Sequence, residues 1–155
     1  MAELLTGDRV ARLGELRLGC SAAIFDESRE RVLLMQRDDN GLWCLPSGGM
    51  DPGESVTETI VREVQEETGL AVGVVGLVGV YSSPHVLVQY PDGNRFQIVS
   101  LCFAAQILGG QLRTTDEAVS VGYFTRQEAD AMDVMANHVE RIRDAFDYEQ
   151  SAFIR

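Results

Sequence analysis

Apolar and polar residues alternate along this chain in two distinct periods, and the periods divide it into strands and helices. Arg17 to Phe25 and Arg31 to Arg37 read as two strands joined by the polar turn Asp26-Glu27-Ser28-Arg29-Glu30. Val32, Leu33, Leu34 and Met35 form a run too continuously apolar for a half-exposed strand, so the pair is expected as a hairpin in a sheet covered on both faces. Further on, Val56, Ile60 and Val64 recur at a four-residue step and predict a helix beginning near Val56. Ser55 with Glu58 three residues later supplies a capping box at its start, and Gly69 sits where a left-handed residue ends it.

Beyond that helix the pattern returns to strands. Ala71 to Tyr81, rich in valine and glycine, predicts one or two strands kinked near Gly76 or Gly79. Ser82 to Asn94 predicts a long hairpin turning at Asp92-Gly93, Phe96 to Leu108 a long strand turned by Gly109-Gly110, and Ala118 to Phe124 another. Thr125 with Glu128 can cap a short helix, and Val134 to Phe146 repeats apolar residues at three and four. Residues 1–16 have no clean period and read as an N-terminal extension that packs on the domain or on a partner subunit of a homodimer. Strands on both sides of a central helix, with a helical end, predict an α/β layered domain.

Composition narrows the function. A chain of 155 residues fits a single domain with its own core. Its formal net charge of −11, without any basic run, argues against a nucleic-acid polymer as partner, because such binding rests on clustered Lys and Arg. There is no lysine at all, which excludes Schiff-base chemistry and a P-loop lysine and leaves arginine as the side-chain cation for any phosphate. Cys20, Cys44 and Cys102 are odd in number and lie in apolar stretches, so buried reduced thiols are expected. No apolar run suits a signal peptide or a membrane span, which makes a cytoplasmic location the default expectation.

The candidate chemistry sits on the other face of the central helix. At about 100° per residue, Glu63, Glu66 and Glu67 project from neighbouring positions of one surface. Like charges so placed destabilise a helix by about 0.2–0.5 kcal/mol per pair, and a divalent cation bound by hard carboxylate oxygens would reverse that. Arg62, with its planar fork, can pair with Glu54 or Glu58 and hold the preceding loop against the helix. Three glutamates alone would better suit an ordinary solvated helix.

Spacing decides between these readings. Gly48, five residues, Glu54, seven residues, Arg62-Glu63-Val64, one residue, Glu66-Glu67, one residue and Gly69-Leu70 together resemble the signature of the Nudix hydrolase (MutT-like) family at every defined position. The approach Leu42 to Pro46 and the later Thr115 to Ala118 look like the family as well, while Ser47 stands where many relatives have glycine. The resemblance implies one Nudix domain over residues 1–155, an α/β/α sandwich with a mixed β-sheet between helices.

It also implies a Mg²⁺- or Mn²⁺-dependent pyrophosphohydrolase with Glu63, Glu66 and Glu67 as metal ligands. The implied substrate is a small-molecule nucleotide: a nucleoside diphosphate linked to another moiety, such as ADP-ribose or a nucleotide sugar, with modified nucleoside triphosphates as the alternative. A non-catalytic nucleotide-sensing module is the remaining reading, and such modules usually lose acids that are all present here. The resemblance points to Glu117 in a downstream loop as a group that reaches the metal or the attacking water; Glu63 competes with it as the base, and Asp116 competes for the loop role. Candidate substrate contacts are Arg37, Gly48, Gly49 and His85, while Glu54 and Arg62 support the site. Arg17 and Arg95 are further phosphate candidates, His138 is expected to be structural, and Trp43 and Phe96 are expected in the core.

Overall fold

The computed structural model describes residues 2–155. A short strand β1 (Glu3–Thr6) and a single 3-10 turn precede β2 (Glu15–Ile24) and β3 (Arg31–Arg37). Two brief strands, β4 (Trp43–Cys44) and β5 (Ser47–Gly49), lead to helix α1 (Val56–Thr68). Then come β6 (Leu70–Tyr81), β7 (Val86–Gln89), β8 (Arg95–Gly110), β9 (Ala118–Thr125), α2 (Arg126–Asp130), α3 (Ala136–Asp147) and β10 (Phe153–Ile154).

The strands form one seven-stranded mixed sheet and a smaller one of order β4-β3-β9. In the large sheet β8 is the spine. It pairs in parallel with all of β2, and its other edge is shared by β6 and β7, both antiparallel. α1 packs on one side through Ile60 and Val64, against Ala22, Ile24, Val72 and Phe103. Ala129, Ile142 and Ala145 of α2 and α3 cover the other side with Ala23, Val78 and Cys102. Residues of opposite parity on β2 thus feed two cores, which is the α/β/α sandwich expected from the sequence. All three cysteines are free and buried, and burial pushes the Cys44 thiol up to about 12.

Three expectations need correction. β2 and β3 do not form a hairpin: after a single bridge at Phe25 and Val32 they part into different sheets. Each is apolar enough to need neighbours on both edges, and β2 finds them in β5 and β8 while β3 finds them in β4 and β9. The hairpin ending at Asp92-Gly93 exists but is short, with two paired positions, because β6 takes over the edge of β8 from Ser100 onward. Gly109 and Gly110 do not turn the chain; they pair with Ala71 and Leu70, and the turn follows them. The expected kink in β6 appears as register shifts, two of them adjoining Gly76 and Gly79.

The N-terminal segment packs on the domain itself. Within the expected extension Met1 lies outside the described residues, and β1 pairs antiparallel with β7, placing Leu4 opposite Val88. At the other terminus β10 runs parallel to β6 at Gly79 and Val80. Arg155 there holds Asp144 with Nη2 at 2.9 Å and Nε at 3.2 Å, and the Tyr81 hydroxyl donates to the same carboxylate at 2.9 Å.

Candidate active site

The acid-bearing helix begins as its sequence dictates. Ser55 Oγ accepts the Glu58 N–H at 3.2 Å while Glu58 Oε2 accepts the Ser55 N–H at 2.7 Å, and Gly69 closes the helix at φ +76°. At Gly69 a Cβ would stand 2.6 Å from the Gln111 carbonyl oxygen, so both the conformation and the space call for glycine.

The loop before α1 is held by Arg62. Its Nε and Nη2 donate to the two oxygens of Glu54 at 2.6 and 2.9 Å, and this fork keeps the Glu54 carboxyl at about 2. Of the two partners considered from the sequence the structure selects Glu54, while Glu58 serves the cap. Nη2 also donates to the Gly49 carbonyl at 3.1 Å, and Nη1 reaches Glu63 at 2.7 Å and Glu66 at 3.3 Å. One guanidinium therefore ties loop, helix and two candidate ligands together.

The three glutamates are not equivalent. Glu66 is largely exposed, Glu63 is mostly covered and Glu67 is buried at 3% exposure, which departs from the single outward face expected of them. A residue immediately after Glu66 turns far enough to face β5, and Glu67 there accepts the Ser47 N–H at 2.8 Å. Burial pushes the Glu67 carboxyl up to about 8, with the charges of Glu63 and Glu117 adding to it. Burial likewise raises Glu63, against the pull of Arg62, and the charges of Glu66 and Glu117 reinforce the rise. The Glu63 carboxylate lies against Gly48, where any Cβ would overlap it.

Glu117 arrives by a definite route. The loop after β8 docks on the C-terminal carbonyls of α1, which have no partner within the helix: Arg113 N–H donates to Thr68 at 3.0 Å, Gln111 N–H to Gly69 at 3.3 Å, and Thr115 Oγ1 to Glu67 at 3.4 Å. Glu66 on one side and Arg113, Asp116 and Glu117 on the other then line one open groove. Among the described residues no three His, Cys, Asp or Glu side chains converge on a ready-made ion cage. The donors nonetheless suit a hard divalent cation, being carboxylates whose charges raise one another's affinity for a positive partner.

A cavity of about 390 Å³ opens on the loop side, bordered by Ser47, Gly48 and Gly49. Arg37 lines it but is engaged with Asp39 at 2.8 and 2.9 Å, and Arg17 lines it stacked 3.9 Å over the Phe96 ring. His85 is not in that lining: its Nδ1 accepts the Arg9 N–H at 3.0 Å and braces the N-terminal segment. Arg95 pairs with Gln89. His138 is buried with Nδ1 accepting the Leu45 N–H at 3.2 Å, and burial depresses its basicity well below the usual range. Sequence reading missed Asn137 and Arg141, which form the α3 side of the cavity. The available signal was that the period of the last helix puts Arg141 on the same face as Ile142 and Ala145.

Fold and site together define an α/β/α domain with a carboxylate groove at one end of a central helix and a cavity beside its leading loop. The chain belongs to the Nudix family, whose NUDIX domain model matches residues 15–146. Among curated proteins it is similar to an ADP-ribose pyrophosphatase of Methanocaldococcus jannaschii, 39% identical over 101 residues, covering 63% of this chain and 56% of that one. It is also similar to the 8-oxo-dGDP phosphatase NUDT18 of Homo sapiens, 35% identical over 99 residues, covering 62% of this chain and 27% of that one. The matched stretch thus spans little more than half of the archaeal relative and about a quarter of the human one. Among solved structures, an ADP-ribose pyrophosphatase from Streptococcus suis superposes with a TM-score of 0.70 at 26% identity, covering 90% of this chain and 97% of that one. Among the described residues no helix is long and apolar enough to cross a membrane.

Proposed function

We propose that this chain is a pyrophosphohydrolase that uses Mg²⁺ or Mn²⁺ to cleave a nucleoside diphosphate linked to another moiety, ADP-ribose and nucleotide sugars being the leading candidates, to a nucleoside monophosphate and the remainder. The observation that carries the reading is that Glu63, Glu66 and Glu67 of the helix and Glu117 of the loop after β8 lie near enough for their charges to act on one another, with Glu63 mostly covered and Glu67 buried. Nudix hydrolases generally use divalent metal ions. Glu63, Glu66 and Glu67 would hold the ion, which supplies charge neutralisation at the diphosphate and acidifies a water.

The chain's own residues supply the rest. Arg62 fixes the loop through Glu54 and so sets where Gly48 and Gly49 meet the diphosphate. Glu117 is the better placed of the two candidate bases, because Glu63 already accepts from Arg62 while no hydrogen bond engages the Glu117 carboxylate among the described residues. The groove then takes the diphosphate and the cavity beside Gly48 and Gly49 takes the nucleoside. Cleavage of modified nucleoside triphosphates is the second reading, favoured by the likeness to a putative 8-oxo-dGTP diphosphatase of Bacillus subtilis. Incubation with a nucleotide panel and Mg²⁺, with products identified by mass, tests both. Hydrolysis that survives EDTA, or an untouched panel, refutes the proposal.

A further inference from the structure

The open groove between Glu66 and the loop after β8 is lined by three carboxylates, Glu66, Asp116 and Glu117, and by a single cation, Arg113. The Arg113 backbone is pinned in place. Its N–H donates to the Thr68 carbonyl at 3.0 Å, and Leu112 beside it packs against the core under α1. Its side chain lies across Gly69, where a Cβ would stand 2.8 Å from Arg113 Nε and 2.9 Å from its Cγ. The missing side chain at Gly69 thus leaves the arm its path over the end of the helix.

The guanidinium itself is uncommitted. Among the described residues no side chain accepts from it and no carboxylate lies within ion-pair distance, although three line the same groove. The chain has no lysine, and the other arginines near the site are engaged: Arg62 with Glu54, Arg37 with Asp39 and Arg17 with the Phe96 ring. A cation held beside carboxylates but bonded to none of them is free to receive an anion from outside. The competing account is a helix-end charge, since any cation is favoured near the last carbonyls of α1. Such a charge would serve the fold and would not distinguish one ligand from another.

Position along the helix says which anion. The cavity is bordered by Ser47, Gly48 and Gly49, and the Glu63 carboxylate lies against Gly48. Arg113 crosses the helix at Gly69, about 9 Å further along the axis than Glu63 at 1.5 Å per residue. A nucleotide with its nucleoside in the cavity and its first phosphate near Gly48 therefore carries its farther phosphate toward Arg113. The planar guanidinium matches that group, offering paired donors and a permanent charge to two phosphate oxygens.

We infer that Arg113 is the specificity residue for the far half of the substrate, holding the phosphate on the side of the cleaved bond away from the nucleoside. This rests on the nucleotide reading above and assigns a residue to the half that the cavity does not reach. The chemistry it takes, a phosphate group without a nucleoside, is shared by the pyrophosphate that a triphosphate leaves and the sugar phosphate that a sugar-linked diphosphate leaves.

Calorimetric titration of the whole protein in Mg²⁺ with the separate products reads binding without turnover. Pyrophosphate and ribose 5-phosphate probe the far half, and AMP probes the near half. Arg113 is exposed, so Arg113→Gln is expected to fold, which a thermal melt checks. The variant should bind the far-half product that the parent prefers at least about tenfold more weakly, the low end for a hydrogen bond to a charged group, while AMP stays within about twofold. Parent preference for pyrophosphate identifies triphosphates as the source, and preference for ribose 5-phosphate identifies sugar-linked diphosphates. An unchanged affinity for both far-half products overturns the inference, as does a parent that binds neither. An equal loss of AMP overturns it too, because that marks a general charge at the helix end. Unaltered far-half binding alongside a hydrolysed nucleotide panel defeats the inference only, whereas a selective loss alongside an untouched panel supports the role of Arg113 and defeats the proposed reaction.

Discussion

The carboxylate of Glu67, buried in the last turn of α1, accepts the backbone N–H of Ser47 at 2.8 Å, twenty positions earlier in the chain. It thereby fixes β5 against the helix from below, while Arg62 fixes the same loop from above through Glu54. Loss of either contact should loosen the loop, with different consequences for charge.

The two candidate bases separate by element. Glu117→Gln should lower kcat by about 10²–10⁴-fold, the usual effect of removing a general base, with little change in the Mg²⁺ concentration for half activity. Glu63→Gln should shift both, since Glu63 sits beside the other helix carboxylates. Steady-state kinetics across a Mg²⁺ series measures the two effects together, and parent-like turnover by Glu117→Gln would exclude it as the base.

Adjacent glycines give opposite expectations. A Cβ at Gly48 would occupy the place of the Glu63 carboxylate, whereas a Cβ at Gly49 would meet nothing within 4 Å. Gly48→Ala should therefore displace Glu63 and lower kcat by up to about 10²-fold, the scale of a 1 Å misplacement, without unfolding the domain. Gly49→Ala should leave kcat near the parent value. Comparable losses in both variants would show that the loop backbone, not the Glu63 contact, is what glycine serves.

Glu67 makes the metal-free protein sensitive to alkali. Its carboxyl is raised to about 8 by burial, so the folded chain keeps a proton that the unfolded chain releases near the ordinary carboxylate range. Stability contributed this way is full below that ordinary range and is lost as pH rises toward 8, by at most about 1.4 kcal/mol per pH unit. Thermal melts between pH 5 and 8 in chelator should show a decline that Glu67→Gln flattens and that a divalent cation reverses at the alkaline end. A slope unchanged in Glu67→Gln would refute the assignment.

His138 works in the opposite sense. Burial holds its ring neutral in the folded state, and the unfolded chain takes up a proton below about 6.5. Its contribution is present above that value and lost as pH falls, so His138→Gln should lessen the acid loss of stability between pH 6.5 and 5. Chemical denaturation at fixed pH values isolates this slope from that of Glu67, provided the two variants are compared with the same parent.

Local signals were legible in the sequence and pairings were not. The cap at Ser55, the stop at Gly69, the second box at Thr125 and Glu128, and the continuous burial of β3 all follow from residues within a few positions of one another. The parting of β2 from β3 depends on β8 and β9, far along the chain, and no local pattern carries it. The Glu54 to Arg62 bridge was legible because both partners lie in one short segment. Arg141 and Asn137 were not, because their importance comes from facing β1 and β7, which the sequence presents as an aperiodic start and a hairpin arm. The depth of Glu67 was hidden for a similar reason: the helix period places it beside Glu66, and only β5 makes it buried.

The parallel ladder between β2 and β8 also bears on how the protein comes into being. Its partners, Glu15 to Ile24 and Phe96 to Ala105, are separated by roughly eighty residues, and such distant pairings form slowly because the chain between them must close first. Everything from Arg37 to Arg62 lies inside that closing loop. During synthesis the helix and its glutamates therefore leave the ribosome well before the strand that completes the sheet beneath them. Throughout that interval β2 is a long apolar edge without its main neighbour, which makes the early half of this chain the segment most in need of protection from aggregation.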